Sequence, residues 1–318
     1  MAPLIRVNRL SKIYRVGKRE IIAVNSLSLD IEPGETVGLV GESGCGKSTL
    51  AKALLYLDPP TSGSVEFEGE ELAALNSKKM KALRQKMQIV FQDPYASLNP
   101  RMTILDSVGE ALDIHRLAKG EERRERVQNL LKRVGLNPFA LHRFPHEFSG
   151  GQRQRLCIAR ALASGPSFVV CDEALSSLDL SIQAQVVNLL QELQQEMNLT
   201  YLFIAHDLAM VRHLSTRVGV MYLGHLVEIA PTEELFTSPH HPYTQALLEA
   251  IPIPDPKRER AKPKLLLHGE PPSPLSPPSG CPFHTRCPHA LPLCQERAPP
   301  LIQLSTGHHV ACHLHPEG

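Results

Sequence analysis

The sequence predicts an α/β fold around a parallel sheet, with an N-terminal antiparallel β layer, an inserted helical subdomain and a proline- and cysteine-rich C-terminal extension. Three observations carry this. Short, wholly apolar runs such as Phe168-Val169-Val170-Cys171 and Leu202-Phe203-Ile204 alternate with helix-period segments, the pattern of strands buried on both faces between crossover helices. From about 103 to 164 the periodicity is helical throughout. Beyond about 251 the composition changes, and residues 251–318 hold 15 of the 27 prolines.

In chain order, residues 4–40 alternate apolar and polar positions in short runs. Leu27-Ser28-Leu29-Asp30-Ile31 is the clearest period-two strand, and Glu32-Pro33-Gly34-Glu35 is a turn. Glu35–Val40 reads as a short buried strand and Ser48–Leu57 as the helix after it. Between them, Gly41-Glu42-Ser43-Gly44-Cys45-Gly46-Lys47-Ser48-Thr49 fits the P-loop pattern. Its glycines let successive N–H groups turn inward toward an anion, and the helix N-terminus adds its positive dipole end. Lys47 supplies a charge for the β- and γ-phosphates, and the Ser48 hydroxyl can ligate Mg²⁺. Val65–Glu68 is another alternating strand, and Met87–Phe91 is an apolar strand that leaves the sheet at Gln92-Asp93-Pro94, because proline cannot continue a central strand.

Residues 93–164 read as the helical subdomain. Val127, Leu130, Leu131 and Val134 recur at helix spacing, and Ser149-Gly150-Gly151-Gln152 opens a helix running through Leu162, a second N-terminus suited to an anion. Asp172 and Glu173 follow the 167–171 strand directly. An Asp at this place in P-loop enzymes holds Mg²⁺, and a second carboxylate can take a proton from attacking water. Ser181–Met197 is an amphipathic helix, and the 200–205 strand ends at His206-Asp207. In a parallel sheet the strand carboxyl ends share one edge, which is where ligands collect.

Several classes are excluded. The net charge of +1 with interspersed charges leaves no nucleic-acid footprint. No run of about 18 apolar residues could span a bilayer, and the first residues lack a signal-peptide core, so a cytosolic protein is expected. Cys157 and Cys171 fall on buried elements and read as inert packing residues. Cys45 lies in the anion cradle, where a thiolate is favoured, so alkylation there should block nucleotide binding.

The P-loop, Gln92 after a strand, Ser149-Gly150-Gly151-Gln152, Asp172-Glu173, Ser177-Leu178-Asp179 and His206 occur in the order found in ABC-type ATPases, which residues 4–250 resemble. The resemblance implies ATP and Mg²⁺ as ligands and a head-to-tail dimer with two sandwiched ATP molecules. Each would lie between one chain's P-loop and the Ser149–Gln152 segment of another. It implies that Tyr14 stacks on adenine, that Gln92 touches Mg²⁺ and water and senses the membrane partner, that Glu173 polarises water, that His206 holds the γ-phosphate and that Asp179 crosses the dimer interface. One departure is Ala174-Leu175, where the family usually has Pro-Thr or Pro-Val; the turn loses a rigid proline.

Gln92–Arg101, Ser181–Leu190 and His241–Leu247 are similar to the peptide/nickel uptake group, and the chain resembles the second ATPase subunit of an oligopeptide or dipeptide importer. That resemblance implies a second homologous ATPase subunit, two integral membrane permease subunits, an extracytoplasmic binding protein, and a peripheral place on the cytoplasmic face of the inner membrane. A nickel or glutathione importer ATPase, or a soluble non-transport ABC ATPase, are the alternatives. The extension (251–318) carries Cys281, Cys287, Cys294 and Cys312. Their spacing is wider than the tight pairs of zinc sites, and some relatives carry a [4Fe–4S] centre, so a cluster is favoured over zinc, with no metal as the remaining reading.

Overall fold

A computed structural model describes residues 2–176, 178–251 and 269–315. Ser177 and residues 252–268 lie outside the described residues. The elements are β1 (Ile5–Val16), β2 (Arg19–Ile31), β3 (Thr36–Val40), α1 (Lys47–Leu54), β4 (Ser62–Phe67), β5 (Glu70–Glu71), α2 (Ser77–Lys86), β6 (Met87–Val90), α3 (Pro94–Ser97), α4 (Ile104–Ile114), α5 (Gly120–Arg133) and α6 (Gly150–Leu162). They continue with β7 (Phe168–Asp172), α7 (Leu180–Met197), β8 (Thr200–Ile204), α8 (Leu208–Leu214), β9 (Arg217–Tyr222), β10 (His225–Pro231), α9 (Thr232–Thr237), α10 (Pro242–Glu249), β11 (Ile302–Ser305) and β12 (His308–Val310).

The chain forms two compact units. Of the described residues, those within 1–5, 31–36 and 66–205 form one, and those within 6–30, 37–65 and 206–318 form the other. In the first, β6, β7 and β8 form a parallel ladder, with Val90 opposite Cys171 and Asp172 opposite Ile204. All five residues of β7 and of β8 are buried, which explains their unbroken apolar run. The chain then leaves β6 as expected. Asp93 caps α3, its side chain accepting from the Tyr95 N–H at 2.8 Å, and Pro94 stands in the first turn, where a missing N–H costs nothing. Helices α3 to α6 fall within the predicted helical subdomain, and α4 starts at a Thr103 cap that accepts from the Asp106 N–H.

In the second unit β3 runs parallel to β9, and β9 continues antiparallel to β10. Residues 5–31 form two long strands rather than several short ones. β1 and β2 are separated by Gly17-Lys18 alone, so they are antiparallel, and Gly17 takes the positive φ (62°) such a turn needs. The extension also holds more regular structure than its prolines suggest. β12 pairs with β10, Glu228 lying opposite Val310, and β11 pairs with β12. Among the described residues no helix is long and apolar enough to cross a membrane.

Candidate functional site

The second unit contains the P-loop. Gly41, Gly44 and Gly46 all have positive φ (148°, 78° and 108°). At two of them space as well as torsion demands glycine. A Cβ on Gly41 would lie 2.2 Å from the Met221 carbonyl oxygen, and one on Gly46 would lie 2.1 Å from that of Ala23. The loop is therefore clamped between β9 and β2. Lys47 is 4% exposed, and its Nζ donates to the carbonyls of Gly41 (2.8 Å) and Glu42 (3.1 Å). Its charge is thus centred over the loop. Ser48 and Thr49 occupy the first turn of α1, and Ser43 is exposed at the rim.

Glu42 is anchored twice. Its N–H donates to the Tyr243 hydroxyl (2.9 Å), and its carboxylate accepts a forked pair from Arg286 of the extension (2.8 and 3.0 Å). Neither partner was legible in the sequence, since Arg286 stands between two cysteines at no recognisable spacing from the loop. Cys45 departs from expectation. It is buried, and burial pushes its thiol up despite the opposing charge of Lys47, so it is held protonated rather than as a thiolate. Burial pushes Cys157 up to about 11 and Cys171 up to about 12, as inert packing thiols require.

Tyr14 stands on β1. Its hydroxyl donates to Asp58 (2.5 Å), Lys12 also pairs with Asp58, and Lys12 Nζ lies 5.2 Å from the Tyr14 ring centre. The ring is thus fixed in orientation and remains partly exposed. His206 is exposed just past the end of β8.

In the first unit, the parallel register brings the ends of β6 and β7 to one edge. Gln92 Nε2 donates to Ser176 Oγ (3.3 Å), and Ser176 Oγ donates to the Glu173 carbonyl (3.0 Å). Asp172 is buried at the end of β7, and Glu173 turns the chain with φ 50°. The missing proline is offset here. Ala174 and Leu175 are each 2% exposed, and Ser176 N–H closes the turn onto the Glu173 carbonyl at 3.1 Å.

Ser149 caps α6. Its hydroxyl accepts from the Gln152 N–H (3.3 Å), and Gln152 Oε1 accepts from the Ser149 N–H (3.0 Å), a reciprocal capping box. The two glycines between them differ. A Cβ on Gly151 would lie 2.6 Å from Ile182 of α7, whereas one on Gly150 would meet nothing within 4 Å. Asp179 caps α7 by accepting from the Ile182 N–H (2.9 Å), and this interaction with Ser181 and the backbone keeps its carboxyl below the usual range.

The cysteine cluster does not form the metal site expected of it. Among the described residues no group of three or more His, Cys, Asp or Glu side chains could hold a metal ion. Cys281 and Cys294 are buried, with Cys281 N–H bonded to the Cys294 carbonyl at 2.8 Å. Burial, reinforced by the neighbouring thiols, pushes Cys281 up to about 11 and raises Cys287 and Cys312. His308 is committed elsewhere, between Glu228 (2.8 Å) and Glu234 (2.9 Å).

Residues 24–176 match the ABC transporter family model, and residues 227–294 match the C-terminal region of oligopeptide/dipeptide transporters. The chain is 54% identical over 98% of its length to the putative oligopeptide transport ATP-binding protein YkfD of Bacillus subtilis, covering 96% of that protein. It belongs to the ABC transporter ATP-binding family. Within that family it is also 50% identical to the oligopeptide transport ATP-binding protein AppF of Bacillus subtilis, covering 93% of this chain and 90% of that protein. Among solved structures, the dimeric post-hydrolysis ATP-binding cassette MJ0796 bound to ADP and Pi matches with a TM-score of 0.66 at 31% identity, over 72% of this chain and 98% of that one. The cbiO1 subunit from Clostridium perfringens, part of the transporter complex cbiONQ, matches with a TM-score of 0.66 at 28% identity, over 75% of this chain and 92% of that one. As a member of this family the chain is an ABC-type ATPase.

Proposed function

We propose that this ABC ATPase powers a peptide importer, as a peripheral subunit on the cytoplasmic face of the inner membrane, paired with a second homologous ATPase and docked on two membrane permease subunits served by an extracytoplasmic binding protein. The observation that carries the reading is the clamped P-loop with its buried lysine, in a chain that also matches the oligopeptide/dipeptide transporter C-terminal region. Gly41–Thr49 bind the phosphates, and Lys47 turns its charge to the β- and γ-phosphates. Tyr14 is assigned to the adenine and His206 to the γ-phosphate. Ser48, Gln92 and Asp172 offer hydroxyl, amide and carboxylate oxygens, the hard donors Mg²⁺ takes, and they would hold the Mg²⁺ that neutralises charge on the phosphates.

Glu173 accepts the proton of the attacking water, and Gln92 relays the state of the site to the permease. The Ser149–Gln152 segment serves the ATP of the opposite subunit, with Asp179 at the same dimer interface. Ser149 is exposed, and a Cβ on the half-buried Gly150 would meet nothing within 4 Å, which supports that role. The test is Glu173→Gln in the assembled transporter. ATP binding should persist while hydrolysis falls about 10²- to 10⁴-fold, the usual worth of a general base. Hydrolysis at the normal rate would remove Glu173 from this role, and an assembly that carries no peptide would remove the cargo assignment.

A further inference from the structure

Among the described residues, the C-terminal extension reaches the phosphate loop through Arg286. Arg286 is 8% exposed and donates its Nη1 and Nη2 to the two carboxylate oxygens of Glu42 (2.8 and 3.0 Å). Nη1 also lies 3.4 Å from the Tyr222 hydroxyl, and the guanidinium sits 5.9 Å from that ring's centre. Tyr222 is on β9, beside the point where Gly41 abuts the Met221 carbonyl. Phe283 of the extension meets Tyr222 edge-on at 5.2 Å and Tyr243 at 5.4 Å, and Tyr243 takes the Glu42 N–H. The extension thus holds the carboxylate of the loop's second residue directly and packs against the α10 tyrosine that holds its backbone.

A carboxylate in this position is a problem for a loop that receives a polyanion. Its charge opposes that of every phosphate brought to the cradle, and being only 26% exposed it is weakly screened. A forked, nearly buried guanidinium is the group best suited to cancel it and fix its direction. We infer that Arg286 is a positioning residue of the nucleotide site, neutralising Glu42 and holding the start of the P-loop. The C-terminal extension is therefore a constituent of the ATP site. This rests on the reading that the loop binds ATP.

Neutralisation has a signature that mere folding support lacks. Removing the Arg286 charge should hurt ligands in proportion to their own negative charge, and removing the Glu42 charge as well should undo the harm. The experiment is calorimetric titration of the full chain with ATP, ADP and AMP, using wild type, Arg286→Gln, Glu42→Gln and the double variant. Arg286→Gln should weaken ATP by about tenfold, ADP by less and AMP least, as for loss of one partner from a partly buried charge pair. Glu42→Gln in that background should restore most of the ATP affinity. By linkage, ATP should slow amide exchange across 281–297 in wild type and do so less in Arg286→Gln. The inference is overturned if Arg286→Gln binds ATP like wild type, if all three nucleotides weaken equally, or if the double variant stays as weak as the single. Wild type that binds no ATP would overturn this inference together with the functional reading.

Discussion

Two glycine-rich helix starts stand in this chain, and they are built on opposite plans. The P-loop before α1 has three positive-φ glycines, two pressed against carbonyl oxygens, and a buried lysine turned back over its own backbone. The start of α6 has no positive-φ glycine. Its serine and glutamine satisfy one another, and only Gly151 is closely approached, by a side chain of α7. The first is a cradle whose backbone shape only glycine adopts without strain. The second is a self-sufficient cap with one open face at Gly150. A shape fixed by surrounding carbonyls suits the phosphate binding proposed for the first, and an open cap suits the meeting with another chain's nucleotide proposed for the second.

Substitutions can break this contrast, and the sharpest is paired alanine at the glycines. Gly46→Ala should destabilise the chain by about 3 kcal/mol or more, because a side chain at that φ must also displace the Ala23 carbonyl. Thermal unfolding of the full chain checks it, and a melting temperature equal to wild type would show that the clamp is soft. Lys47→Ala should weaken ATP by roughly 100-fold, the loss of a charged donor to phosphate, with little change in melting temperature. Ser149→Ala removes one half of the capping box and should lower stability by about 1 kcal/mol, leaving ATP binding to the isolated chain unchanged. Gly150→Ala should shift stability by less than about 0.5 kcal/mol, since nothing opposes its Cβ. A loss near that of Gly46→Ala would mean that the two starts are alike after all.

Proton uptake tests the part of the extension on which the P-loop side leans. Burial alone would lower the His308 pKa, but the flanking Glu228 and Glu234 carboxylates outweigh it and raise it above 6.5. Burial would raise the Glu228 carboxyl, but its bonds to His308 and the 240–241 backbone bring it below its ordinary 4.5, and Glu234 is likewise lowered by His308 and Ser305. A raised histidine stabilises below its unfolded pKa and loses this as pH rises through the folded one. Lowered carboxylates stabilise above their unfolded pKa and lose this as pH falls. The three together should hold β12 to β10 best between about pH 4.5 and about pH 6.5, losing the His308 contribution as pH rises toward its raised pKa. His240 and His241, whose pKa values are lowered chiefly by burial, oppose protonation, His241 down to about 4, and add to the loss on the acid side. Amide protection at 308–310, measured relative to the intrinsic base-catalysed exchange rate, should therefore fall on alkaline titration above that window. In His308→Gln that alkaline fall in protection should disappear.

Much of the site could be read from the chain because its signals are local. A P-loop, a capping box and an apolar strand ending in two carboxylates each occupy fewer than a dozen consecutive residues, and short-range sterics and hydrogen bonding set their conformation. What escaped depends on contacts between distant residues. The Glu42–Arg286 pair spans a separation of 244 residues, and Glu228–His308 spans 80. Cys45 looked reactive because its neighbours in sequence form an anion cradle, yet the packing of the loop buries it and reverses the direction of its shift. The cysteine spacing suggested a cluster, whereas among the described residues no group of three or more His, Cys, Asp or Glu side chains is placed to hold a metal ion.

The sequence by itself determined the phosphate cradle, the order of the motifs and the alternation of strand and helix, because glycine torsions, caps and apolar periodicity act over neighbouring residues. The tertiary structure alone decided that Gly41 and Gly46 are fixed by carbonyls of other strands and that the proline-rich tail completes β10. It also decided that the tail's arginine answers the carboxylate in the loop. Burial and charge pairing are properties of what surrounds a residue, and those surroundings exist only once the chain has folded.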